Sequence, residues 1–208
     1  MSRNPQSPSP AGQVLTRLRA ENGWTLVEVA SKTGVSVSTL SKIENGQTSP
    51  SYAVMTRLAT GLGVDFVHLI GGNASQMPHG VRSITRAGEG MSFQTEMGAY
   101  RALASDLVGK VFEPMLIDIP VRKTFAERSY SAHRGEEFVF VVSGPVEFLM
   151  EPYAPIALET GDSIYFDGSC KHGFRSLAKG PAQILSVCLG SRSDHAEQAE
   201  TTGETDEG

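Results

Sequence analysis

The sequence has few cysteines and no long apolar run, and both shortages narrow the class of protein. Its 208 residues include only two cysteines, Cys170 and Cys188, in no CxxC or paired spacing, so neither a disulfide framework nor a four-cysteine zinc site is expected. No apolar stretch approaches the roughly 20 residues that span a bilayer. The first ten residues, MSRNPQSPSP, lack the apolar segment of a secretory signal. We therefore expect a soluble, cytoplasmic protein with reduced thiols.

Positive charge is also scarce, and it is unevenly distributed. The formal net charge is -5, yet residues 1–72 carry six Lys or Arg against four Asp or Glu, whereas residues 73–208 carry twelve against nineteen. The amino-terminal part is thus mildly basic and the remainder is acidic. This asymmetry indicates that only the amino-terminal part approaches a polyanion such as nucleic acid.

The residue pattern divides the chain into five segments. Residues 1–10 hold three prolines and three serines, which predicts a disordered arm. Residues 11–70 repeat apolar side chains at helical spacing and predict five short helices, and the Gly-rich residues 71–80 read as a linker. Residues 81–190 contain short runs rich in Val, Ile and Phe between Gly and Pro turns, which predict an all-β sandwich or small barrel. Residues 191–208 are polar and acidic and predict a disordered tail.

The apolar runs of the β-rich segment locate its strands. Alternation within them predicts that Glu137 shares one strand face with Val139 and Val141, while Phe138 and Phe140 lie on the other. The predicted strands are Met115–Ile119, Glu137–Val142, Val146–Met150, Ser163–Phe166 and Gln183–Leu189.

The helical segment contains the stretch TLVEVASKTGVSVSTLSKIENGQTSPS, which supplies a helix, a tight turn at Gly34 and a second helix from Ser36. This stretch resembles the helix-turn-helix of Xre-type, or lambda-repressor-like, transcriptional regulators. The resemblance covers residues 12–70 and implies a five-helix DNA-binding domain. The order A-x-x-x-G-V-S-x-x-x-L-S-x-I-E-N-G is matched at Ala30, Gly34, Val35, Ser36, Leu40, Ser41, Ile43, Glu44, Asn45 and Gly46.

The resemblance assigns DNA contacts to the second of these helices and the loop after it. Short polar side chains suit a helix that lies end-on in the major groove, and Thr25 would offer its hydroxyl and a helix N-terminus to a phosphate. Arg19 and Glu44 pair with each other in relatives of this fold, so we expect them to be structural. A helical interaction module with a merely solvated polar face is the alternative. The predicted DNA-binding residues are Thr25, Ser36, Val37, Ser38, Thr39, Lys42, Asn45, Gln47 and Thr48.

The β-rich segment carries two further motifs. The first is His133-x-x-x-Glu137, followed after six residues by Gly144, and the second is GDSIYF at residues 161–166, followed by His172. Together they resemble the cupin family, a jelly-roll barrel in which histidines and a glutamate converge on one metal. The resemblance covers roughly residues 81–190. It is incomplete: Ser131 stands where the first His belongs, and the usual Pro, Gly and Asn are replaced by Asp167, Ser169 and Ser176.

These departures leave the chemistry of the barrel open. A buried Glu137 needs a partner, because burial of a lone carboxylate is unfavourable. The partner is a divalent metal (Zn, Fe, Mn or Ni) held with His133 and His172, a neutral hydrogen-bonded network, or a positively charged effector. Cys170 could add a thiolate, although a lone cysteine is more often core. We favour an effector pocket over a loaded catalytic centre, and its predicted residues are Ser131, His133, Glu137, Tyr165 and His172.

Both resemblances together imply an α+β protein of two domains, an N-terminal five-helix helix-turn-helix bundle and a C-terminal all-β cupin jelly-roll barrel. The expected function is that of a transcriptional regulator, repressing rather than activating, that binds a double-stranded DNA operator and a small-molecule effector. We expect a homodimer, because one mildly basic domain binds DNA weakly and two would be set about 34 Å apart. The alternatives are a cupin metalloenzyme of dioxygenase or isomerase type with a DNA-binding head, and an antitoxin-like module whose barrel binds another protein. The missing first His argues against the enzyme.

Overall fold

The structure is a computed structural model that describes residues 9–72, 75–76, 80–122 and 129–189. Most of the predicted arm and all of the predicted tail, residues 191–208, lie outside these ranges. Within them, no helix is both long enough and apolar enough to cross a membrane.

Helices form the first described range, and their number agrees with the prediction. Helix α1 begins at Pro10, at the last residue of the predicted arm, because the Ser9 hydroxyl accepts the Gly12 N–H at 3.2 Å and proline suits a first helical turn. The helices are α1 Pro10–Asn22, α2 Leu26–Thr33, α3 Val37–Glu44, α4 Tyr52–Leu62 and α5 Phe66–Leu69.

The turn between α2 and α3 depends on a glycine. Gly34 ends α2 with a φ of 66°, in the left-handed region that other residues adopt at a cost, and its N–H donates to the Ala30 carbonyl. Helix α3 then starts on Ser36, whose hydroxyl accepts the Thr39 N–H. Local sequence thus determines where the second helix of the pair begins.

The helices share one apolar cluster, and a glycine sets how closely two of them approach. Leu15, Leu40 and Ile43 are fully buried in this cluster. At the crossing of α2 and α4, a Cβ on Gly61 would lie 2.5 Å from the Lys32 carbonyl oxygen. No larger residue fits there unless the two helices separate.

Strands form the rest of the described chain. The five predicted strands are present, and β5 begins three residues before its predicted start. The strands are β1 Ser75–Gln76, β2 Met91–Gln94, β3 Ala99–Ala102, β4 Leu107–Val108, β5 Phe112–Ile119, β6 Glu136–Ser143, β7 Val146–Met150, β8 Ile156–Leu158, β9 Ser163–Asp167, β10 His172–Ser176 and β11 Ala182–Leu189.

Most of these strands pair antiparallel in two sheets. The six-stranded sheet has the order β2-β3-β5-β11-β6-β9, and the three-stranded sheet has the order β10-β7-β8. Side chains from both sheets, including Val139 and Phe174, enter one apolar cluster between them. The predicted alternation in β6 is confirmed: Val139 and Val141 are buried, whereas Phe138 and Phe140 are exposed.

The helical part is packed directly onto the β part. Tyr52, Met55 and Phe66 belong to the same buried cluster as Tyr100 and Met115 of the six-stranded sheet. Asp65, which caps α5, accepts the Gly109 N–H at 2.8 Å. Part of the predicted linker is also paired, since β1 aligns parallel with β4. Residues 73–74 and 77–79 of that linker lie outside the described ranges.

Candidate nucleic-acid interface and buried histidine–glutamate cluster

Helix α3 separates its buried and exposed faces as a groove-reading helix requires. Leu40 and Ile43 are fully buried, whereas Val37, Ser38 and Lys42 are exposed. The helix contacts both α1 and α2, which hold it in place from behind. Its free face therefore presents one small apolar side chain, one hydroxyl and one cation to a partner.

The amino-terminal end of α3 carries a small hydroxyl network. Ser36 Oγ lies 3.1 Å from Ser38 Oγ and 2.8 Å from Thr39 Oγ1, and it also accepts the Thr39 N–H. Thr39 is half-buried by this arrangement. The network orients hydroxyls that can both donate and accept, as base edges require.

The predicted phosphate contact at Thr25 is already occupied within the chain. Thr25 Oγ1 accepts the Glu28 N–H at 3.2 Å and donates to Glu28 Oε2 at 2.8 Å, while the Thr25 N–H donates to the same oxygen at 2.7 Å. These hydrogen bonds lower the pKa of Glu28, so a negative charge sits at this helix start. A phosphate that approached Thr25 would have to displace that carboxylate.

The loop after α3 contains the remaining predicted DNA-binding residues. Asn45 caps α3 and its amide donates to the Ser41 carbonyl at 2.9 Å, while Gln47 is exposed and Thr48 is half-buried. The expected pairing of Arg19 with Glu44 is present, with Nε to Oε1 at 2.9 Å and Nη2 to Oε2 at 3.2 Å. A bidentate pair of this kind joins α1 to the end of α3.

The barrel interior brings together four of the five residues predicted for the effector pocket. Glu137 Oε2 lies 3.0 Å from His133 Nε2 and 3.3 Å from His172 Nε2, and all three residues are buried. Ser131 pairs with His172 through the backbone and is buried beside them. Tyr165 lies apart on the outer sheet face, where it is 63% exposed and hydrogen-bonded to Glu136. Strand alternation turns its neighbour Phe166 inward instead.

Strand β11 adds two residues that the sequence motifs did not indicate. Ser186 Oγ donates to Glu137 Oε1 at 2.6 Å, and Cys188 Sγ lies 4.0 Å from His133 Nε2. The predicted alternative thiol, Cys170, contributes its backbone carbonyl to His172 rather than its sulfur. Every second side chain of residues 182–188 is small or apolar, a pattern that predicts one buried strand face. Only the pairing of β11 with β6 places Ser186 and Cys188 of that face beside Glu137.

The hydrogen bonds of His172 determine what the cluster needs. A carbonyl only accepts, so the 2.8 Å contact of His172 Nδ1 with the Cys170 carbonyl places a proton on Nδ1. A neutral His172 would then direct the Nε2 lone pair at the Glu137 carboxylate, which also only accepts. The cluster therefore needs a positive charge, either a second proton on a histidine or a cation.

Burial and hydrogen bonding act in opposite directions on Glu137. Burial raises the pKa of this carboxyl, but hydrogen bonds from His133 and His172 outweigh it and lower the pKa to about 2. Glu137 is therefore ionised at neutral pH, and its charge is balanced within the barrel rather than by solvent.

The free space beside this cluster is small. The chamber that Ser131, His133, Glu137, Ser186 and Cys188 line measures about 10 Å³, which holds roughly one water or one ion. Ser131 Oγ has no hydrogen-bond partner among the described residues. His133, Glu137 and Cys188 each offer a ligand atom, and these atoms all lie within 4.8 Å of one another. The predicted ligand His172 contacts Glu137 and lines the chamber but does not belong to that group. An imidazole, a carboxylate and a thiol around a space of this size fit one divalent cation of borderline softness.

A larger cleft lies outside the chamber, between the helices and the barrel. Its volume is about 710 Å³. Tyr52 and His133 line both spaces and separate them. The cleft is lined by Lys32, Thr33, Tyr52, Thr56, Arg57, Thr60 and Gly61 of the helices and by Ala132, His133, Arg134, Gly135, Ser169 and Leu189 of the barrel.

This combination of a recognition helix on a helical bundle and a histidine–glutamate cluster in a β-barrel defines a DNA-binding regulator with a cupin domain. A family model described as Helix-turn-helix matches residues 15–69, and one described as Cupin domain matches residues 117–188. The protein belongs to the helix-turn-helix family of transcriptional regulators.

Two curated relatives and one solved structure show how far the likeness extends. The HTH-type transcriptional regulator SutR of Escherichia coli (strain K12) is 41% identical over 64 residues, 31% of this chain and 36% of SutR, so the chain spans about a third of that relative. The uncharacterized HTH-type transcriptional regulator y4dJ of Sinorhizobium fredii is 39% identical over 59 residues, 28% of this chain and 77% of that protein. A crystal structure of an HTH_3 family transcriptional regulator from Vibrio cholerae aligns with a TM-score of 0.57 at 20% identity, over 88% of this chain and 97% of that one, and shows the shared fold.

Proposed function

We propose that this protein is a dimeric transcriptional repressor of the cytoplasm, where DNA is found, and that its barrel adjusts operator binding in response to a small molecule. The observation that carries this proposal is the position of α4. This helix belongs to the DNA-binding unit, yet its first residue, Tyr52, is buried against His133 of the barrel, with ring centroids 5.1 Å apart. A change at the barrel mouth is thereby transmitted to the helices that hold α3.

The free face of α3 supports specific DNA binding. Ser38 and Lys42 are exposed on it and Thr39 is half-buried, while the residues behind them are fully buried. Lys42 would reach guanine or phosphate, and the serine and threonine hydroxyls suit either base type. The role of Asn45, Gln47 and Thr48 is to contact the DNA backbone from the loop.

The outer face of the six-stranded sheet supports homodimer formation. Phe138, Phe140 and Val142 of β6 are each 38% exposed. In β11, Leu185 pairs with Phe140 and Val187 with Phe138, which extends the apolar surface across neighbouring strands. Monomers rarely leave a broad apolar patch in water, and a flat sheet face of this kind can bury itself against a second copy. Two copies joined there would supply the two α3 helices that an operator requires.

The buried cluster supports a structural cation rather than catalysis. His133, Glu137 and His172, with Cys188, would hold a divalent metal such as Zn or Fe, whose positive charge satisfies the lone-pair conflict at His172. The chamber of about 10 Å³ leaves no space for a substrate beside such an ion. The regulator is thus favoured over a cupin dioxygenase or isomerase.

The decisive experiment is the selection of genomic DNA fragments by the purified full-length protein. We expect enrichment of a few fragments that share a palindromic site with half-sites about one helical turn apart. Equal recovery of all fragments, as with a nonspecific polycation, would contradict the proposal. Turnover of a small molecule by protein with no fragment preference would favour the metalloenzyme, and a stoichiometric copurified protein would favour an antitoxin-like module.

A further inference from the structure

The cleft between the helices and the barrel differs chemically from the chamber. Its volume of about 710 Å³ lies in the range of small-molecule sites, whereas the chamber holds about one water or ion. An effector of metabolite size therefore fits the cleft and not the interior of the barrel. The difference in volume therefore places an effector-binding site in the cleft.

The charges of the cleft are all of one sign. Lys32, Arg57 and Arg134 line it, and no carboxylate is among its described lining residues. All three cations are exposed, and no carboxylate of the described ranges forms an ion pair with them. Glu28, four residues before Lys32 on α2, interacts electrostatically with Lys32 but does not line the cleft. In a protein of net charge -5, three cations around one concavity form a local anion site.

The cleft also offers an apolar wall and hydroxyl groups. Tyr52 and Leu189 contribute apolar surface, while Thr56, Thr60 and Ser169 contribute hydroxyls. An apolar wall with a few polar groups that fix orientation is the usual composition of a metabolite site. An organic anion is therefore favoured over a bare inorganic ion.

Arg57 connects the cleft to the turn of the helix-turn-helix. Arg57 Nη1 donates to the carbonyl of Gly34, the residue that turns the chain from α2 into α3, at 3.4 Å. Lys32 Nζ stacks over the Trp24 ring at 5.1 Å from its centroid, near the start of α2. An anion that recruited Arg57 would compete with the Gly34 carbonyl for the same guanidinium.

We infer that this cleft is the effector site and that it binds a small organic anion, with a carboxylate or phosphate group held between Arg57 and Lys32 of the helices and Arg134 of the barrel. The inference rests on the proposed function, because it names the ligand class and the place through which operator binding is regulated. The bound anion bridges the two parts of the protein and draws Arg57 from the turn before α3.

The test uses three probes, citrate, inorganic phosphate and salicylate, titrated calorimetrically into the full-length protein at constant ionic strength, with spermidine as a cation of opposite charge. We expect saturable binding of at least one anion, one per chain, and none of spermidine. Arg57→Gln and Arg134→Gln each remove one charged partner and should weaken that anion about tenfold, the equivalent of about 1.4 kcal/mol. Arg82→Gln, the same change at an exposed arginine that does not line the cleft, should leave it unaltered.

Three results would overturn the inference. They are the absence of saturable binding by all three anions, equal binding by the Arg134→Gln variant and the wild type, and an anion that binds in the cleft but leaves operator affinity within twofold. A coupled anion should change operator affinity by about fivefold or more. Fragment selection without added anion reports on the proposed function separately, so a protein that selects an operator but binds no anion contradicts this inference alone.

Discussion

The ring of Tyr52, the first residue of α4, lies edge-on against the imidazole of His133, with centroids 5.1 Å apart and an interplanar angle of 87°. Tyr52 belongs to the DNA-binding unit and His133 to the cluster in the barrel. Tyr52 also lines the chamber together with Cys188. One aromatic side chain thus closes the chamber, borders the cleft and joins the two parts.

Removal of the Tyr52 ring should destabilise the whole protein. Tyr52→Ala leaves a cavity in the cluster shared by helices and sheets, and we expect a loss of about 3–5 kcal/mol in the free energy of unfolding. Chemical denaturation measures it. Tyr153→Ala, at a tyrosine that is 71% exposed, is the matched control and should change that free energy by less than about 0.5 kcal/mol. If Tyr52→Ala lowers the free energy of unfolding by no more than about 0.5 kcal/mol, as expected for Tyr153→Ala, Tyr52 does not stabilise the protein by packing.

Loss of the polar face of α3 should abolish operator preference and retain the fold. Ser38→Ala with Lys42→Ala removes two candidate base contacts, and we expect the double variant to lose about 1–3 kcal/mol of discrimination between operator and scrambled duplex. Electrophoretic mobility shifts with the selected operator and a scrambled duplex measure the ratio of affinities. Thr16→Ala with Arg17→Ala, a hydroxyl and a cation exposed on α1, is the control. Unchanged footprints of the first variant would remove α3 from the interface.

A charge on the outer sheet face should separate the proposed dimer. Phe140→Asp places a carboxylate opposite Leu185 in the apolar surface, and burial of an unpaired charge there is strongly unfavourable. Sedimentation velocity over a concentration series should show a monomer, and operator affinity should fall with it. Ile156→Asp, at a 52% exposed position of the three-stranded sheet, should leave the dimer intact. A dimeric Phe140→Asp variant would place the interface elsewhere.

A divalent cation should stabilise the protein through the buried cluster. Added Zn²⁺ or Fe²⁺ at about 100 times its dissociation constant should raise the free energy of unfolding by about 2.7 kcal/mol. Thermal melts of chelator-treated protein with and without metal measure this. His133→Ala should remove the increase, whereas His68→Ala, on α5 outside the cluster, should retain it. If neither metal raises the free energy of unfolding of the wild type, the positive charge that the cluster needs comes from a protonated histidine.

Glu113 should make stability depend on pH between about 5 and 7. Burial raises the pKa of this carboxyl to about 7. The charge of Lys110, whose Nζ lies 3.4 Å from Glu113 Oε2, lowers the pKa, and the charge of Asp65 raises it further. The folded protein therefore binds a proton that the unfolded chain, with a pKa near 4.5, has released, so stability falls as pH rises through this window. The contribution is on the order of 3 kcal/mol.

Denaturation of wild type and Glu113→Gln at pH 5 and pH 7.5 tests this assignment. The neutral amide does not titrate, so the variant should lose most of the decline seen in the wild type. An identical decline in both proteins would show that another group titrates.

Short-range pattern explains the parts of the structure that the sequence predicts. The capping residues Thr25 and Ser36, the left-handed Gly34 and the apolar spacing of Leu40 and Ile43 each act over a few residues, so they determine the helix-turn-helix locally. The pairing of Arg19 with Glu44, 25 residues apart, was predicted only because relatives of this fold share it. Alternation likewise placed Glu137 inside the barrel, since a strand has only two faces.

Only the tertiary structure decided what surrounds these residues. Cys188 and Ser186 reach Glu137 because β11 pairs with β6 in one register, and Tyr52 reaches His133 from a chain position 81 residues away because α4 packs on the barrel mouth. Tyr165 was predicted to line the pocket, but it lies on the outward face of β9, because successive residues of a strand face opposite sides of the sheet. Contacts between distant segments depend on how whole elements pack, and no local period in the sequence encodes that packing.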